Sequence, residues 1–437
     1  MQRALSFDAS PRLHVPLRFM LTAPLFALLA AAVLLWAGPS ALGSRWNGTV
    51  LALTHLFVIG VLANVMAGAM LQILPVATGT RALATPLTAT AVHVLINLGT
   101  LILAGAFLFV TPSLFGMAVV LLGLGLGWLA VAVIGGIWAH RKTMLPGAPT
   151  IVLAVRLSLV SLLVTILLGA TLAGSMAMAL PLPRMLTDLH AGWGLLGWVG
   201  LLIIGISFQV IPMFQVTERY PRHITRWLAL AIFIVLGILT ANTLTTWTSQ
   251  QEAQWFIGTA ALAGYLVYAG VTFDLLRGRK RPAPDTTTLF WRTALVSVAL
   301  CLPVWLAHIM RVGDFSVLLG VLFIAGFAWS AVNGMLYKIL PFLLWYNTQR
   351  DLDVALPMVP KVKHFIPDDL ARPQVHAHRV AVALLALAAI VPATFTHVAA
   401  LALAVSVVWL MKNIWQGLAL YTSAGKEIRA ELTRRAG

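Results

Sequence analysis

Long apolar runs alternate with short polar connections along this chain. Twelve runs of about 18–25 residues can be distinguished, and each is long enough to cross a hydrocarbon core about 30 Å thick as an α-helix. The pattern predicts an all-α integral membrane protein, with twelve transmembrane helices in a single bundle over residues 1–437. The runs lie at roughly 18–37, 49–75, 86–110, 114–138, 150–173, 187–213, 226–247, 254–275, 289–310, 316–345, 375–393 and 397–420.

A short phrase recurs at the end of the second, sixth and tenth runs. It is eight residues long, begins with Gly, has a long polar side chain at its fifth position and ends with Pro. The three copies occupy residues 68–75, 205–212 and 334–341. The phrases begin 137 and 129 residues apart (68 to 205, and 205 to 334). Self-similarity at a long, nearly fixed spacing predicts repeated structural units. We therefore expect three pseudo-symmetric four-helix repeats. Their approximate limits are 15–142, 150–282 and 286–422.

The net charge of +16 is unevenly distributed between the connections. Basic residues concentrate in alternate connections, which is the positive-inside pattern of membrane proteins and does not indicate a nucleic-acid partner. With 60% hydrophobic and only 10% charged residues, the main partner is the lipid bilayer. We expect a multi-pass protein of the bacterial inner membrane with both termini in the cytoplasm. The basic residues are Arg141, Lys142, Arg219, Arg222, Arg226, Arg277, Arg279, Lys280, Arg281, Lys361 and Lys363.

Several chemistries are excluded by residues that the chain lacks. Cys301 is the single cysteine, so neither a disulfide nor a thiolate metal cluster can form within the chain. No phosphate-binding glycine loop is present, and we expect no ATP site. The stretch 347–374 is polar and contains four prolines, which predicts a loop lying on the bundle.

Two histidines occupy similar places in the first two repeats. His55 lies 13 residues before Gly68, and His190 lies 15 residues before Gly205. The difference of two residues is about 3 Å of helical rise, so the two imidazoles are expected at nearly the same depth. Imidazole is a common metal ligand and an axial ligand of haem iron, and two at one depth could bind one haem. The same pattern is equally compatible with two interfacial histidines that bond to water or a carbonyl.

Other polar residues within the runs give weaker signals. His308 is expected on the same side as His55 and, with nearby methionines, could ligate copper, although methionine is also ordinary packing material. His376 and His378 open the eleventh helix on the opposite side, where anchoring at the interface is the favoured interpretation. The polar residues of the three phrases either reach the interface or form a polar plug on one axis. These are Gln72, Gln209 and Lys338.

These features together resemble subunit I of the heme-copper oxidase superfamily, which has twelve helices in three arcs. The stretch 54–75, with His55 before a glycine-rich helix that ends in Pro, is similar to the haem-ligating helix of that family. The chain is more similar to the NnrS family of haem-binding membrane proteins linked to nitric oxide metabolism, in 17–36, in 55–75 and around His190. The resemblance implies haem b at His55 and His190, and a role in electron transfer or nitric oxide metabolism. It also implies a cytochrome or another redox membrane subunit as partner.

The chain departs from both families at positions that carry chemistry. NnrS proteins usually have His-x-His-Glu-Met where residues 53–57 read Leu-Thr-His-Leu-Phe. Oxidases carry a histidine pair on the tenth helix, whereas 315–321 contains none, and only His223 precedes the seventh helix. We therefore do not expect a conventional terminal oxidase. The alternatives are a polytopic transporter or channel, whose repeats and interrupted helices look similar, and a non-catalytic membrane subunit of a redox complex.

Overall fold

The computed structural model describes residues 9–145, 147–181, 185–245, 251–281, 283–352 and 359–436. Twelve of its helices are long and apolar enough to cross a membrane, which confirms the prediction of a multi-pass helical membrane protein. In chain order, helices α1–α12 are His14–Leu42, Gly48–Thr78, Thr85–Phe109, Pro112–Ala139, Ala148–Ala177, Met185–Gln215, Arg222–Thr245, Glu252–Arg277, Thr286–Ile309, Ser316–Gln349, Asp368–Ile390 and Pro392–Arg434.

Three helices form the centre of the bundle. In the most apolar window of α2, α6 and α10, 61%, 83% and 78% of the residues are buried, against 50% or less in the other nine spans of the described chain. A helix in contact with lipid needs only one buried face, whereas a helix surrounded by protein is buried on all sides. The helices that carry the recurring Gly–Pro phrase are therefore those at the centre.

Each central helix contains a π-helical segment, at Leu56–Ala63, Gly192–Gly200 and Leu322–Trp329. These segments begin 12, 13 and 12 residues before the glycine of the phrase in the same helix. A π-helical turn leaves some backbone groups off the regular hydrogen-bonding pattern, and such turns occur frequently at functional sites. The nearly equal spacing indicates that the three central helices have the same internal construction.

The glycine of each phrase permits close helix packing. A Cβ at Gly68 would lie 2.9 Å from Phe19 Cβ on α1, and one at Gly334 would lie 2.5 Å from Phe290 Cβ on α9. At Gly205 the distance to Ala154 Cβ on α5 would be 2.5 Å. Each central helix thus crosses the first helix of its own expected repeat at a point where only glycine fits.

A second glycine, eight residues earlier in each central helix, meets the same neighbouring helix. Added Cβ atoms at Gly60, Gly197 and Gly326 would lie 2.4–2.7 Å from side-chain atoms of α1, α5 and α9 respectively. The pair of glycines spans about two helical turns. The three helix pairs α1–α2, α5–α6 and α9–α10 therefore pack through the same two contact points.

The connection between α10 and α11 is shorter than predicted. A one-turn helix lies at Val362–Phe365, and α11 begins at Asp368 instead of near residue 375. The acidic pair Asp368 and Asp369 in the first turn explains the earlier start, because carboxylates are favourable at a helix N-terminus. Residues 353–358 of the predicted loop lie outside the described residues.

Candidate functional site

The structure brings His55 of α2 and His190 of α6 together. Their ring centroids are 6.1 Å apart, and the ring planes are 24° from parallel. His55 directly precedes the π-helical segment of α2, and His190 lies two residues before that of α6. The matched depth predicted from the repeat therefore corresponds to a close pair. We call the end of the bundle that carries the connection at residues 43–47 the Arg45 end.

A backbone carbonyl fixes the orientation of each ring. His55 Nδ1 donates to Leu51 O at 2.7 Å, and His190 Nδ1 donates to Thr165 O at 3.1 Å. Because a carbonyl oxygen can only accept, the proton of each neutral ring is on Nδ1, and the Nε2 lone pair remains available as a ligand. Metal-bound histidines commonly have this arrangement, with the second nitrogen bonded to a carbonyl or carboxylate.

The pair lines a cavity of about 240 Å³ between α2, α3, α4, α5 and α6. Its walls are mostly apolar and include Leu103, Leu122, Ile166 and Trp198. The Phe107 ring also lies against His55, with centroids 5.3 Å apart and planes 25° from parallel. An apolar cavity with few convergent polar groups is the usual form of a cofactor site.

Gly169 of α5 allows the His190 ring to approach the helix. A Cβ at this position would lie 2.8 Å from His190 Cε1 and 3.3 Å from Nδ1. The ring can therefore reach the Thr165 carbonyl, one turn earlier in α5, only because residue 169 has no side chain.

The donor set fits haem iron better than a bare metal ion. Among the described residues, no group of three or more His, Cys, Asp or Glu side chains could hold a metal. Haem supplies four ligands itself and needs only two axial groups from the protein. If one nitrogen of each ring faced a metal about 2 Å away, the ring centres would lie roughly 6 Å apart, and the centroid distance of 6.1 Å is compatible with this arrangement.

His308, the third predicted ligand, has other partners. Phe315 N donates to His308 Nδ1 at 3.2 Å, and this nitrogen lies 3.7 Å from Asp314 Oδ1. The lone pair of Nδ1 is therefore engaged in the connection between α9 and α10. The residues that line the cavity at His55 and His190 do not include His308. A copper site that combines these three histidines has no support in this geometry.

An ion pair at the Arg45 end joins the first two expected repeats. Arg45, in the connection between α1 and α2, donates to the carboxylate of Asp188 on the first turn of α6. Asp188 lies two residues before His190. The ion pair therefore links the connection before α2 to α6, the helix that carries His190. Hydrogen bonds from Ser316 lower the pKa of Asp314, and the positive charge of Arg45 acts in the same direction. The ion-pair partner of Arg45 is thus Asp188.

A buried histidine was missed by the sequence interpretation. His378 of α11 is 1% exposed, and its Nε2 is 2.7 Å from Ser330 Oγ on α10, so it does not anchor the helix at the interface. His93 of α3 has a similar setting, with its Nε2 2.9 Å from Thr22 Oγ1. The ring of His93 packs on Phe19 and that of His378 on Phe290, each with centroids 5.1 Å apart. Each hydrogen bond joins two helices of the same expected repeat: α1 and α3 in the first repeat, and α10 and α11 in the third.

The polar residues of the first and third phrases have separate local partners. Lys338 Nζ is 2.7 Å from Asp285 Oδ2, at the start of α9. Gln72 Nε2 donates to Ser10 Oγ at 3.1 Å, before α1. These two contacts fasten a central helix to the chain just before the first helix of its own expected repeat. They do not provide the shared polar plug that a transport path would need.

We found no protein-family model that matches the chain, and no curated protein is similar to it. The resemblance to NnrS-type proteins and to the heme-copper oxidase superfamily therefore stays a prediction. Function must be inferred from the geometry of the histidine pair.

Proposed function

We propose that this protein is a haem-binding membrane protein that transfers electrons, with His55 and His190 as the two axial ligands of one haem b. The observation that carries the proposal is the pair itself, with ring centres 6.1 Å apart and each Nδ1 bonded to a carbonyl. The Leu51 and Thr165 carbonyls would hold the rings in one tautomer and keep Nε2 directed to the iron. We place the protein in the bacterial inner membrane.

Two axial histidines favour electron transfer over the handling of nitric oxide. Haem iron supplies one-electron chemistry, and the binding of a gas requires an open axial position. His55 and His190 would occupy both positions, and their rings are fixed by carbonyls and, at His190, by close packing against Gly169. The apolar walls around the pair would exclude water and stabilise the less charged state of the cofactor.

The cavity must enlarge to admit a macrocycle. Its volume of about 240 Å³ is below the roughly 300–1,000 Å³ of ordinary ligand cavities. Phe107 stacks on His55 inside this cavity, and a rotation about its χ1 would enlarge the space beside the pair. Haem insertion would thus move Phe107 while the two histidines keep their places.

We also propose that the fold comprises three four-helix repeats related to those of heme-copper oxidase subunit I and of NnrS-type proteins. This is supported by the three π-helical segments and by the two glycine contacts in each pair α1–α2, α5–α6 and α9–α10. The tenth helix has Gly320 and Val321 before its π-helical segment, where α2 and α6 have histidine. A terminal oxidase centre would need ligands there.

The test is an absorption spectrum with metal analysis of the purified protein. Expression with ample haem should give a Soret band and about one iron per chain. His55→Ala and His190→Ala should each remove the band or shift it, because one axial ligand is lost. His308→Ala is the matched control at the same end of the bundle and should retain full haem.

The outcomes separate the candidate sites. A wild-type protein without a Soret band would overturn the proposal. Haem that survives both His55→Ala and His190→Ala would show that it binds elsewhere. Copper that is lost in His308→Ala would instead identify a site in the connection between α9 and α10.

A further inference from the structure

A second cavity lies beside the histidine cavity. Its volume is about 230 Å³, and it is enclosed by α1, α2, α6, α10, α11 and α12. Five residues of α2 and α6 line both cavities and so form a shared wall: Leu51, Thr54, Thr187, Ala191 and Leu195. The proposed haem site does not use this second space. It is nevertheless separated from that site by only one layer of side chains.

The polar groups of the second cavity are gathered at the Arg45 end. Thr187 Oγ1 is buried and has no hydrogen-bond partner among the described residues. Arg45 and Ser316 line the same end. Apart from Thr54 in the shared wall, the remaining lining residues are apolar, with Leu34, Phe57 and Ile324 among them. Such a cavity fits a molecule with an apolar body and a hydrogen-bonding group at one end.

The charge at this end favours a neutral head group. Arg45 forms an ion pair with Asp188, so its positive charge is already balanced by a carboxylate. An anionic lipid or fatty acid would have to compete with Asp188 for the charge of Arg45, whereas a neutral head group would leave that ion pair intact. A neutral carbonyl or phenol could still accept from Arg45, because a guanidinium has five N–H donors.

We propose that the second cavity binds a membrane quinone. Quinone carbonyls accept hydrogen bonds and quinol hydroxyls both donate and accept, and a threonine hydroxyl such as that of Thr187 can pair with either form. The ring would lie among the aliphatic side chains of α1, α2 and α10. Binding itself does not require haem at His55 and His190, so this proposal and the proposed function can fail separately.

Gly320 of α10 offers a position at which a side chain can be added to the second cavity. It lines the cavity, and a Cβ at this position would meet no atom within 4 Å. Gly123 of α4 has the same property and lines the histidine cavity instead. Gly320→Leu and Gly123→Leu are therefore matched variants, each of which adds the same side chain to a lining position of one cavity.

The experiment measures binding of decylubiquinone to the full-length protein in detergent, together with photolabelling by an azido-quinone and peptide mapping. We expect saturable binding, with labelled peptides from α2 or α10. Gly320→Leu should weaken binding at least about tenfold, whereas Gly123→Leu should leave it unchanged and should lower haem content. His55→Ala, purified without haem, should still bind the quinone.

Three results would overturn the proposal. The first is equal binding by wild type and Gly320→Leu. The second is labelling that maps only to lipid-facing helices. The third is solvent extraction that recovers fatty acid or phospholipid from wild type but not from Gly320→Leu, together with no competition by decylubiquinone. A Gly320→Leu protein that fails to fold would be replaced by Gly320→Val, which fills less of the cavity.

Discussion

At the residue scale, the position of the His190 ring depends on a glycine in another helix. Gly169 leaves a gap on α5 into which the edge of the imidazole fits, with Cε1 2.8 Å from the place a Cβ would take. A contact this short cannot persist, so any side chain at residue 169 must displace the ring. The hydrogen bond to Thr165 O would be lost with it.

Gly169→Ala should therefore change the axial ligation of the haem. We expect a shifted Soret band and a haem content reduced severalfold. Gly174→Ala, five residues later on α5, is the matched control because a Cβ there meets no atom within 4 Å. An unchanged spectrum in Gly169→Ala would mean that the His190 ring does not lie against α5.

The ion pair between Asp285 and Lys338 gives a prediction about pH. Burial alone would raise the pKa of Asp285, but the Lys338 ammonium and hydrogen bonds from Thr288 outweigh it and lower the pKa below its ordinary value of 3.8. A carboxyl whose pKa is lower in the folded state stabilises the fold above its unfolded pKa, and this stabilisation is lost as the pH falls through the folded pKa. The loss therefore occurs in acid, below about pH 4.

Asp285→Asn should destabilise the protein by roughly 2 kcal/mol at neutral pH. Asparagine preserves the helix cap but leaves the Lys338 charge without a partner. The difference in thermal unfolding midpoint from wild type should shrink as the pH falls from about 5 to 3. Asp369→Asn, an exposed change of equal charge, should show no such trend. A difference that stays constant with pH would contradict the role of the ion pair.

At the element scale, the π-helical segments set the direction in which the two histidines point. The part of α2 that follows Leu56–Ala63 is fixed by the packing of Gly68 against Phe19. The part that precedes it carries His55. Adding or removing a residue between these two parts of α2 would rotate the first part relative to the second by about 100° about the helix axis.

Deletion of Val58 should therefore rotate His55 away from His190. We expect loss of the Soret band in a protein that still inserts into the membrane at normal yield. The control is Val58→Ala, which shortens the side chain and keeps the number of residues. Retention of haem in the deletion variant would show that the register of α2 does not position His55.

An element of this fold could be predicted only where it produces a recognisable pattern in the amino-acid sequence. Length and apolarity predicted the twelve spans, and the spacing of His55 and His190 from the phrase predicted their common depth. The π-helical segments produce no recognisable sequence pattern. A change in helical period shows only where polar and apolar faces alternate, and a helix buried on all sides is apolar throughout. Gly60, Gly197 and Gly326 could have been found, since each lies eight residues before the glycine of the phrase.

The burial of His378 could not be predicted in the same way. It depends on Ser330, a residue 48 positions earlier on another helix, and a single sequence does not show which helix faces lie together. The early start of α11 had a local signal in Asp368 and Asp369, but the prolines nearby favoured a loop.

At the scale of the whole molecule, the positive-inside pattern predicts which end of the bundle faces the cytoplasm. The Arg45 end should face the periplasm, and the connection with Arg141 and Lys142 should face the cytoplasm. Since Cys301 is buried and is the single cysteine, Cys301→Ser gives a cysteine-free background. Single cysteines can then report on each end.

We expect Gly43→Cys in this background to react with a membrane-impermeant maleimide in intact spheroplasts. Lys142→Cys should react only after the membrane is permeabilised. Both positions are exposed, so a difference in labelling reports sidedness and not burial. The reverse labelling pattern would invert the topology and place the histidine pair near the cytoplasm.

The wall that the two cavities share would couple their binding equilibria only if a ligand in one cavity moved it. The wall has one conformation at a time, and its two sides line the two cavities. It consists of Leu51, Thr54, Thr187, Ala191 and Leu195. A ligand that shifts this layer must change the affinity of the other cavity, and linkage requires the same factor in both directions. The free energy of that coupling could be measured from either side, as the effect of quinone on haem affinity or of haem on quinone affinity.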